Sequence, residues 1–435
     1  MKNRIKLAVV TVVALSTTSV YATNGSVLMG IGAKARAMGG VGIGVGHGAE
    51  SALVNPALIT TIKKENEISF GGTIFMPSVS TDGGSASMMS DESAADLNVI
   101  PAVSIATKIN DNFYFGIGMW GTAGMGVDYR DATNPGAMAM VTNLQIMQFG
   151  VPLAYTRNNF SVGVTPVLQY GALDMNYNNG NQDANYAGTG AGVAQDLSMG
   201  YSLGLSYTIA DVTIGASYKS QIDMEYKGQL SSATAPFVSS GVFPMAMADE
   251  LSTPAEIGFG LSYKMNQHTF AVDYKMIQWE DAKGYKDFAW KNQNVIALGY
   301  EFETKAYALR VGYNYAKSPI EDAGAMTLAQ VGSAMAAAGD TNSANAPKYM
   351  GGNALNTFNL AGFPGIVESH ITVGGTYAFN DTVSLDLALA IAPESVTKLR
   401  TMPADMDGDT QPETDIETEV KHSQISVTFQ LNYNF

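Results

Sequence analysis

The sequence predicts an all-β fold, a fourteen-stranded antiparallel transmembrane β-barrel. Three observations carry this expectation. From Glu67 onward, apolar and polar residues alternate with period two in run after run, the mark of strands with two unlike faces. The connections alternate short, long, short, long, as in barrels with tight turns at one rim and long loops at the other. The chain also ends on Phe435, with Tyr433, Leu431, Phe429 and Val427 on the same face.

In chain order, MKNRIK is basic, LAVVTVVAL is a short apolar run and Val20-Tyr21-Ala22 is a small-residue cleavage site. Residues 1–22 therefore read as a secretory signal peptide, with the mature chain starting near Thr23. The apolar run is shorter than the roughly 20 residues a spanning helix needs, and no later run is long enough. Cysteine is absent, so neither disulfides nor thiolate metal sites are expected. The net charge is −15, and removing three basic leader residues makes the mature chain more acidic still, which argues against nucleic acid. Glycine (46), tyrosine (21) and phenylalanine (17) are plentiful and charge is only 14%, a composition suited to β-structure.

The clearest strands are Phe160 to Tyr170, Met199 to Thr208, Ala255 to Tyr263, Tyr307 to Tyr315, Val383 to Ile391 and Ile425 to Phe435. About fourteen segments have roughly the 9–11 residues of a tilted membrane strand. Tight turns fall at Asn110-Asp111-Asn112, Arg157-Asn158-Asn159, Ala210-Asp211, Asn266-Gln267, Thr304-Lys305 and Asn380-Asp381. Phe113, Phe160, Tyr207, Tyr263, Phe302, Tyr307, Tyr377 and Phe379 flank these turns, as in an interfacial aromatic girdle. A soluble β-sandwich has no reason for either regularity.

If the apolar parity faces lipid, Lys219, Asp223, Glu225, Asp273, Lys275, Glu301, Arg310 and Asp386 point inward. Such charges either brace the lumen through ion pairs or, at Lys219 and Arg310, meet an anionic head group. The third strand, FYFGIGMWGTAGMGV (Phe113 to Val127), is dense in glycine, which weakens a strand and permits a kink, here placed at Gly121 to Gly124. Ordinary barrel curvature is the plainer account. The loop Gly228 to Thr253 carries Phe237, Val238, Val242, Phe243, Met245 and Met247, much apolar surface for an exterior loop and a candidate capture site. Loop self-packing is the alternative. AGAMTLAQVGSAMAAAG, within Lys317 to Glu368, suggests a short helix over the barrel. Asp405, Asp407 and Asp409 offer hard oxygen ligands, but Gly408 sits at position four where an EF-hand loop needs glycine at six. A solvated acidic loop is expected there, with calcium the weaker option. The four histidines are scattered, and no nucleophile has a positioned base, so no catalytic residue and no cofactor are expected.

The N-terminal stretch resembles the hatch of the FadL-type outer-membrane transporters, the long-chain fatty acid transport family. The matching residues are Asn24-Gly25, Lys34-Ala35-Arg36-Ala37-Met38-Gly39-Gly40 and Asn55-Pro56-Ala57-Leu58. Further matches are Ile109-Asn110-Asp111, Tyr218-Lys219-Ser220, Tyr226-Lys227-Gly228, Thr376-Tyr377-Ala378-Phe379-Asn380 and the terminal Asn432-Tyr433-Asn434-Phe435. Where the family usually carries acidic residues, this chain has His47-Gly48, so contacts made by those acids are not carried over.

The resemblance implies a division into residues 1–22 (signal peptide), 23–64 (hatch) and 65–435 (barrel) in the outer membrane of a Gram-negative bacterium. It also implies capture of a hydrophobic compound by outer loops, a site inside the barrel, and lateral exit through a kink in strand three. Long-chain fatty acids, carried by passive facilitated diffusion, are the leading substrates, and aromatic hydrocarbons are the alternative. A surface adhesin or phage receptor and a water-filled porin are rivals of other classes. Expected partners are the ligand, outer-membrane lipid and lipopolysaccharide, and the barrel assembly machinery, with the barrel a monomer. Glycine at every second position from Gly40 to Gly48 superficially suggests a phosphate loop, but no strand precedes it and an Asn-Pro turn follows it.

Overall fold

Two-sided strands have only one way to hide their backbone groups from lipid, which is to close on themselves. The computed structural model, which describes residues 23–82, 90–130, 139–177, 189–403 and 415–435, shows that closure. The proposed signal peptide lies outside the described residues, as do Asp405, Asp407 and Asp409. Among the described residues fourteen strands form the wall. They are β1 (Asn66–Asp82), β2 (Ser90–Glu92 and Asn98–Lys108), β3 (Phe113–Asp128), β4 (Val141–Gly150 and Leu153–Arg157) and β5 (Phe160–Asn176). Then come β6 (Ala194–Ile209), β7 (Val212–Lys219), β8 (Glu256–Met265), β9 (His268–Ile277) and β10 (Gln293–Glu303). The last four are β11 (Tyr307–Ala316), β12 (Ser369–Ala378), β13 (Val383–Arg400) and β14 (Glu417–Asn434). Each pairs antiparallel with its chain neighbours, and β14 closes on β1 from Glu419↔Asp82 to Asn434↔Glu67.

Several strands outrun the 9–11 residues expected from sequence. β1, β5, β13 and β14 run to 17 or 18 residues, and the ladders of β1, β13 and β14 continue into stretches that the sequence suggests are loops. Three tight turns place a residue at positive φ, Asn158 (54°), Ala210 (49°) and Asn266 (56°), as two-residue hairpins with the strand twist require. The Asn110 and Asn380 side chains accept hydrogen bonds from backbone N–H groups two and three residues on, closing their turns.

Burial separates the faces. In β11 the pattern alternates exposed and buried throughout, with Tyr307, Leu309, Val311, Tyr313 and Tyr315 outward. Of the turn-flanking aromatics, Phe113, Phe160, Tyr207, Tyr263, Tyr307, Tyr377 and Phe379 are exposed, and Phe302 is half-buried against His268 and Tyr307.

Two of the expected inward charges are corrected. Asp223 and Glu225 lie past the end of β7 and are exposed, while Ile222, Met224 and Tyr226 take the buried parity. The cause is that β7 stops at Lys219, after which the chain follows a different course from the wall. At the long-loop rim stand helices α2 (Leu230–Ser239), α3 (Leu328–Ala337) and α4 (Gly351–Ala361), following α1 (Gly32–Ala37) inside the barrel. A reciprocal Thr327/Gln330 capping box starts α3, within the stretch expected to be helical.

Candidate functional site

The site is built by residues 23–62, which sit against the inward face of the wall. Their partners are buried strand residues of the parity opposite to the lipid-facing apolar set. Asp273 on β9 accepts from the backbone N–H groups of Gly42, Ile43 and Gly44 at 2.7, 2.8 and 3.2 Å. The glycine run thus does hold an anion, but the anion is the barrel's own carboxylate. Gly39, at φ +71°, packs on the backbone of β10 and β11, where an added Cβ would lie 2.6 Å from the Tyr313 carbonyl oxygen. Its N–H donates to Thr372 Oγ1 (3.0 Å) and its carbonyl accepts from Asn314 Nδ2 (3.0 Å). Gly40, also at positive φ, donates to the Ala35 carbonyl (2.8 Å) and ends α1. Asn55 caps the 3-10 turn Pro56–Thr61 by accepting from Ala57 N–H (3.2 Å), with Pro56 at its first position. The Asn55 amide also donates to the Ile43 and Leu205 carbonyls, tying the turn to β6.

The start of this segment is held differently. Thr23–Asn24 and Val27–Leu28 form a two-rung ribbon around Gly25. Gly25 lies against Trp279 and Trp290, which form a three-ring cluster with Tyr285 at centroid distances of 4.5–5.0 Å. Ser26 Oγ hydrogen-bonds Tyr285 Oη at 2.9 Å. Asn24 is fully buried, and its amide has no hydrogen-bond partner among the described residues. This aromatic cluster joins Phe288, Phe358 and Phe363 in one apolar core with Val27, Leu28 and Ile31, so the roof and the N-terminal segment share their packing. Helix α4, which supplies Phe358 and the Asn359 bond to Trp290 Nε1 (2.9 Å), is not anticipated from sequence. Its buried face carries Asn353, Asn356 and Asn359, so hydrophobic patterning does not reveal it.

Strand β3 is where the wall departs from regularity. Its ladder to β2 runs from Lys108↔Tyr114 to Ala102↔Trp120 and stops. One residue on, the register with β4 slips between Gly121 and Ala123, leaving Thr122 as a bulge. From Trp120 to Val127 every residue is buried, so the two-face alternation is lost. The freed strand instead pairs with the N-terminal ribbon, through Val27↔Ala123 and a 2.9 Å hydrogen bond from Gly124 N–H to the Ser26 carbonyl. It meets β2's side again at Asp128, through Ser93 and Ala94. Between these points β2 offers Asn98–Pro101 with a partner on β1 alone. Pro101, which has no N–H to donate, stands where that edge begins. Gly121 faces Ile100 across the opening, and an added Cβ there would lie 2.6 Å from Ile100 Cγ2. Gly121 therefore borders the bulge directly, and Gly124 lies one residue beyond its other side.

Two of the cavities inside are unlike. One, of ≈ 50 Å³, is lined by Leu28, Met29, Ile31, Ile43, Val54, Ala123 and Val167, and by Lys219, Glu256, Asp273 and Lys275. Here Lys219 and Lys275 share Glu256 at 3.2 and 3.1 Å, and Asp273 on the same wall brings the two cations and two carboxylates into balance. The other, of ≈ 370 Å³, lies toward the tight-turn rim and is polar, with Lys34, His47, Glu67, Glu301, Glu303 and Arg310 on its wall. Lys219 and Arg310, both candidates for an anionic head group, therefore line separate cavities. Arg310 is already engaged, bonding Glu301 and Thr376 at 2.7 Å with Asp386 at 3.9 Å. Glu256, which pairs with both lysines of the first cavity, is a residue that the sequence reading misses.

The roof loop behaves only partly as an exposed patch. Val242 is buried, while Phe237, Val238, Phe243 and Met247 are half-buried, Phe237 stacking on Phe243 and Phe358. Met245 is open, 74% exposed.

The barrel fold is matched by relatives. The family model described as outer membrane protein transport protein (OMPP1/FadL/TodX) matches residues 13–347. The chain belongs to this family. It is accordingly an outer-membrane β-barrel of the Gram-negative type serving transport of hydrophobic compounds. Among solved structures, a Pseudomonas aeruginosa FadL homologue superposes with TM-score 0.68 at 13% identity, covering 94% of this chain and 100% of that one. The P. putida toluene transporter TodX gives 0.61 at 16% identity, covering 94% and 99%. The Ralstonia pickettii toluene transporter TbuX gives 0.58 at 15%, again covering 94% and 99%. At these identities the likeness speaks to the fold. No curated protein matches the sequence significantly.

Proposed function

We propose that this barrel takes up hydrophobic compounds with a long apolar tail and an anionic head, long-chain fatty acids foremost, by passive facilitated diffusion. The compound is captured among the roof loops near Met245 and enters the cavity beside Lys219. It leaves sideways between β2 and β3, with residues 23–64 acting as a movable hatch. The observation that carries this reading is the exchange of partners by β3, which gives up β2 after Trp120 and takes the N-terminal ribbon at Ala123. Each methylene withdrawn from water contributes about 0.8 kcal/mol, so apolar contact supplies affinity while Lys219, which shares its carboxylate partner with Lys275, orients the head. The interior cavity of ≈ 50 Å³ holds only a few waters' worth of space, so an acyl chain enters by displacing part of the hatch. The protein works as a monomer, with Phe435 closing the strand read by the assembly machinery.

The second reading is uptake of monoaromatic hydrocarbons, favoured by the likeness to two toluene transporters. Uptake of labelled oleate and of toluene, in a strain lacking its own transporter of this type, separates the two. Oleate uptake no faster than the vector control sinks the fatty-acid reading. Toluene uptake alone establishes the second.

A further inference from the structure

Arg36 lies on α1 and is 2% exposed. Its guanidinium has five N–H donors, of which two find partners. Nη2 donates to Ser426 Oγ at 2.8 Å and Nη1 to the Gly30 carbonyl at 3.5 Å, while Nε has none. Among the described residues no carboxylate is within ion-pair distance of it. The contrast with its neighbours is sharp. Lys34 meets Glu50 and Asp386, Arg310 meets Glu301, and Lys219 and Lys275 meet Glu256. Burial draws the Arg36 guanidinium down to about 10, which still leaves it charged at neutral pH. A buried charge without a counter-ion is costly, and proteins seldom keep one without use.

Its place explains what the use is. Arg36 lines a small cavity whose other walls include Ile100, Pro101 and Gly121, the residues that frame the opening between β2 and β3. Thr73 and Thr428 hydroxyls, bonded to each other at 2.7 Å, complete a polar patch on the same wall. At ≈ 10 Å³ the cavity has room for about one water, so this is the site in its shut form. Leu28, Gly30 and Ile31 line both this cavity and the larger one beside Lys219, so a few residues of the N-terminal segment form the partition between them. A molecule crossing that partition toward the lipid passes the guanidinium.

We propose that Arg36 is the counter-ion for the carboxylate head of a transported amphiphile at the lateral opening, and selects anionic over neutral compounds of equal chain length. The inference rests on the lateral-exit reading above and adds to it the group that reads the head. A guanidinium presents paired N–H donors that match two carboxylate oxygens, and the two threonine hydroxyls supply further donors as Ile100 moves aside.

The test compares uptake of labelled dodecanoate and dodecanol by the wild type, Arg36→Met, Arg36→Lys and the double variant Thr73→Val/Thr428→Val. Barrel folding is checked by heat-modifiable migration. The carboxylate-to-alcohol uptake ratio is expected to fall about tenfold or more in Arg36→Met, less in Arg36→Lys, and about threefold in the threonine pair. Equal loss for both compounds in folded Arg36→Met overturns the proposal, since that is what a merely structural arginine produces. An unchanged ratio overturns it too. If Arg36→Met does not fold, the ratios of the charge-preserving Arg36→Lys and of the threonine pair decide alone. Wild-type uptake of the alcohol but not the carboxylate sinks this proposal and leaves lateral transport standing, whereas uptake of neither sinks both.

Discussion

Strands β3 and β11 belong to one wall, yet only one is a wall throughout. β11 alternates lipid-facing and inward residues from Tyr307 to Ala316 and keeps an unbroken ladder on both sides. β3 does the same as far as Met119, then buries every residue from Trp120 to Val127 and exchanges β2 for Val27. The difference is that β3, past Trp120, takes a partner at Ala123 and Gly124 from a segment that is not itself part of the barrel. An opening in a sheet is tolerable in a membrane only if the freed edge finds a partner elsewhere, and here that partner includes the N-terminal ribbon.

This comparison can be broken most directly at Gly121. Gly121→Val places bulk against Ile100 and is expected to cut oleate uptake by about tenfold or more, while Val311→Ala on β11 leaves it within about twofold. Equal effects of the two would mean that β3 is ordinary wall. Next in size is a tether. The chain has no native cysteine, so Val27→Cys with Ala123→Cys gives one unambiguous cross-link between facing residues. Oxidation is expected to reduce uptake about fivefold and reductant to restore it. Full activity of the oxidised form would show that the ribbon need not leave β3.

Smaller effects sharpen how the hatch is held. Asp273→Asn weakens three hydrogen bonds to a carboxylate and is expected to cost about 2 kcal/mol of local stability, read as faster amide exchange at Gly42, Ile43 and Gly44. Protection equal to wild type would place the anchor elsewhere. The smallest effect is pH-dependent. Burial holds the His47 imidazole down to about 4, with Nε2 2.8 Å from the Val41 carbonyl. A base depressed below its ordinary 6.5 contributes stability in full above pH 6.5, and that contribution is lost as pH falls toward 4. Protection factors in residues 41–52, which already divide out the intrinsic pH dependence of exchange, should therefore fall over that window in the wild type and stay flat in His47→Gln.

Much of the architecture was legible in the residues. Period-two alternation is a local property, so strands such as β11 and the turns at Asn158 and Asn266 follow from a few neighbouring side chains. The Asn-Pro cap at Asn55 is equally local. The glycines of β3 were legible as weakness, though not as a break, because curvature uses the same residues. Asp223 and Glu225 were misplaced because parity carries no information once a strand has ended. Helix α4 was hidden by the asparagines it buries. Arg36 was visible only as a motif residue, since nothing beside it in the chain reveals that it lacks an acid.

What the sequence by itself determined is therefore the repeating two-faced strand, its turns and its closing aromatic, because each rests on interactions spanning a few residues. Which charges are neutralised, where β3 leaves β2, and that Arg36 stands unpaired at the opening were decided only by the tertiary structure. Closure brings Arg36 to Ser426 and Asp273 to Gly42, partners hundreds of residues apart, and the Coulomb and hydrogen-bond terms that govern them depend on distances in space that no local pattern records.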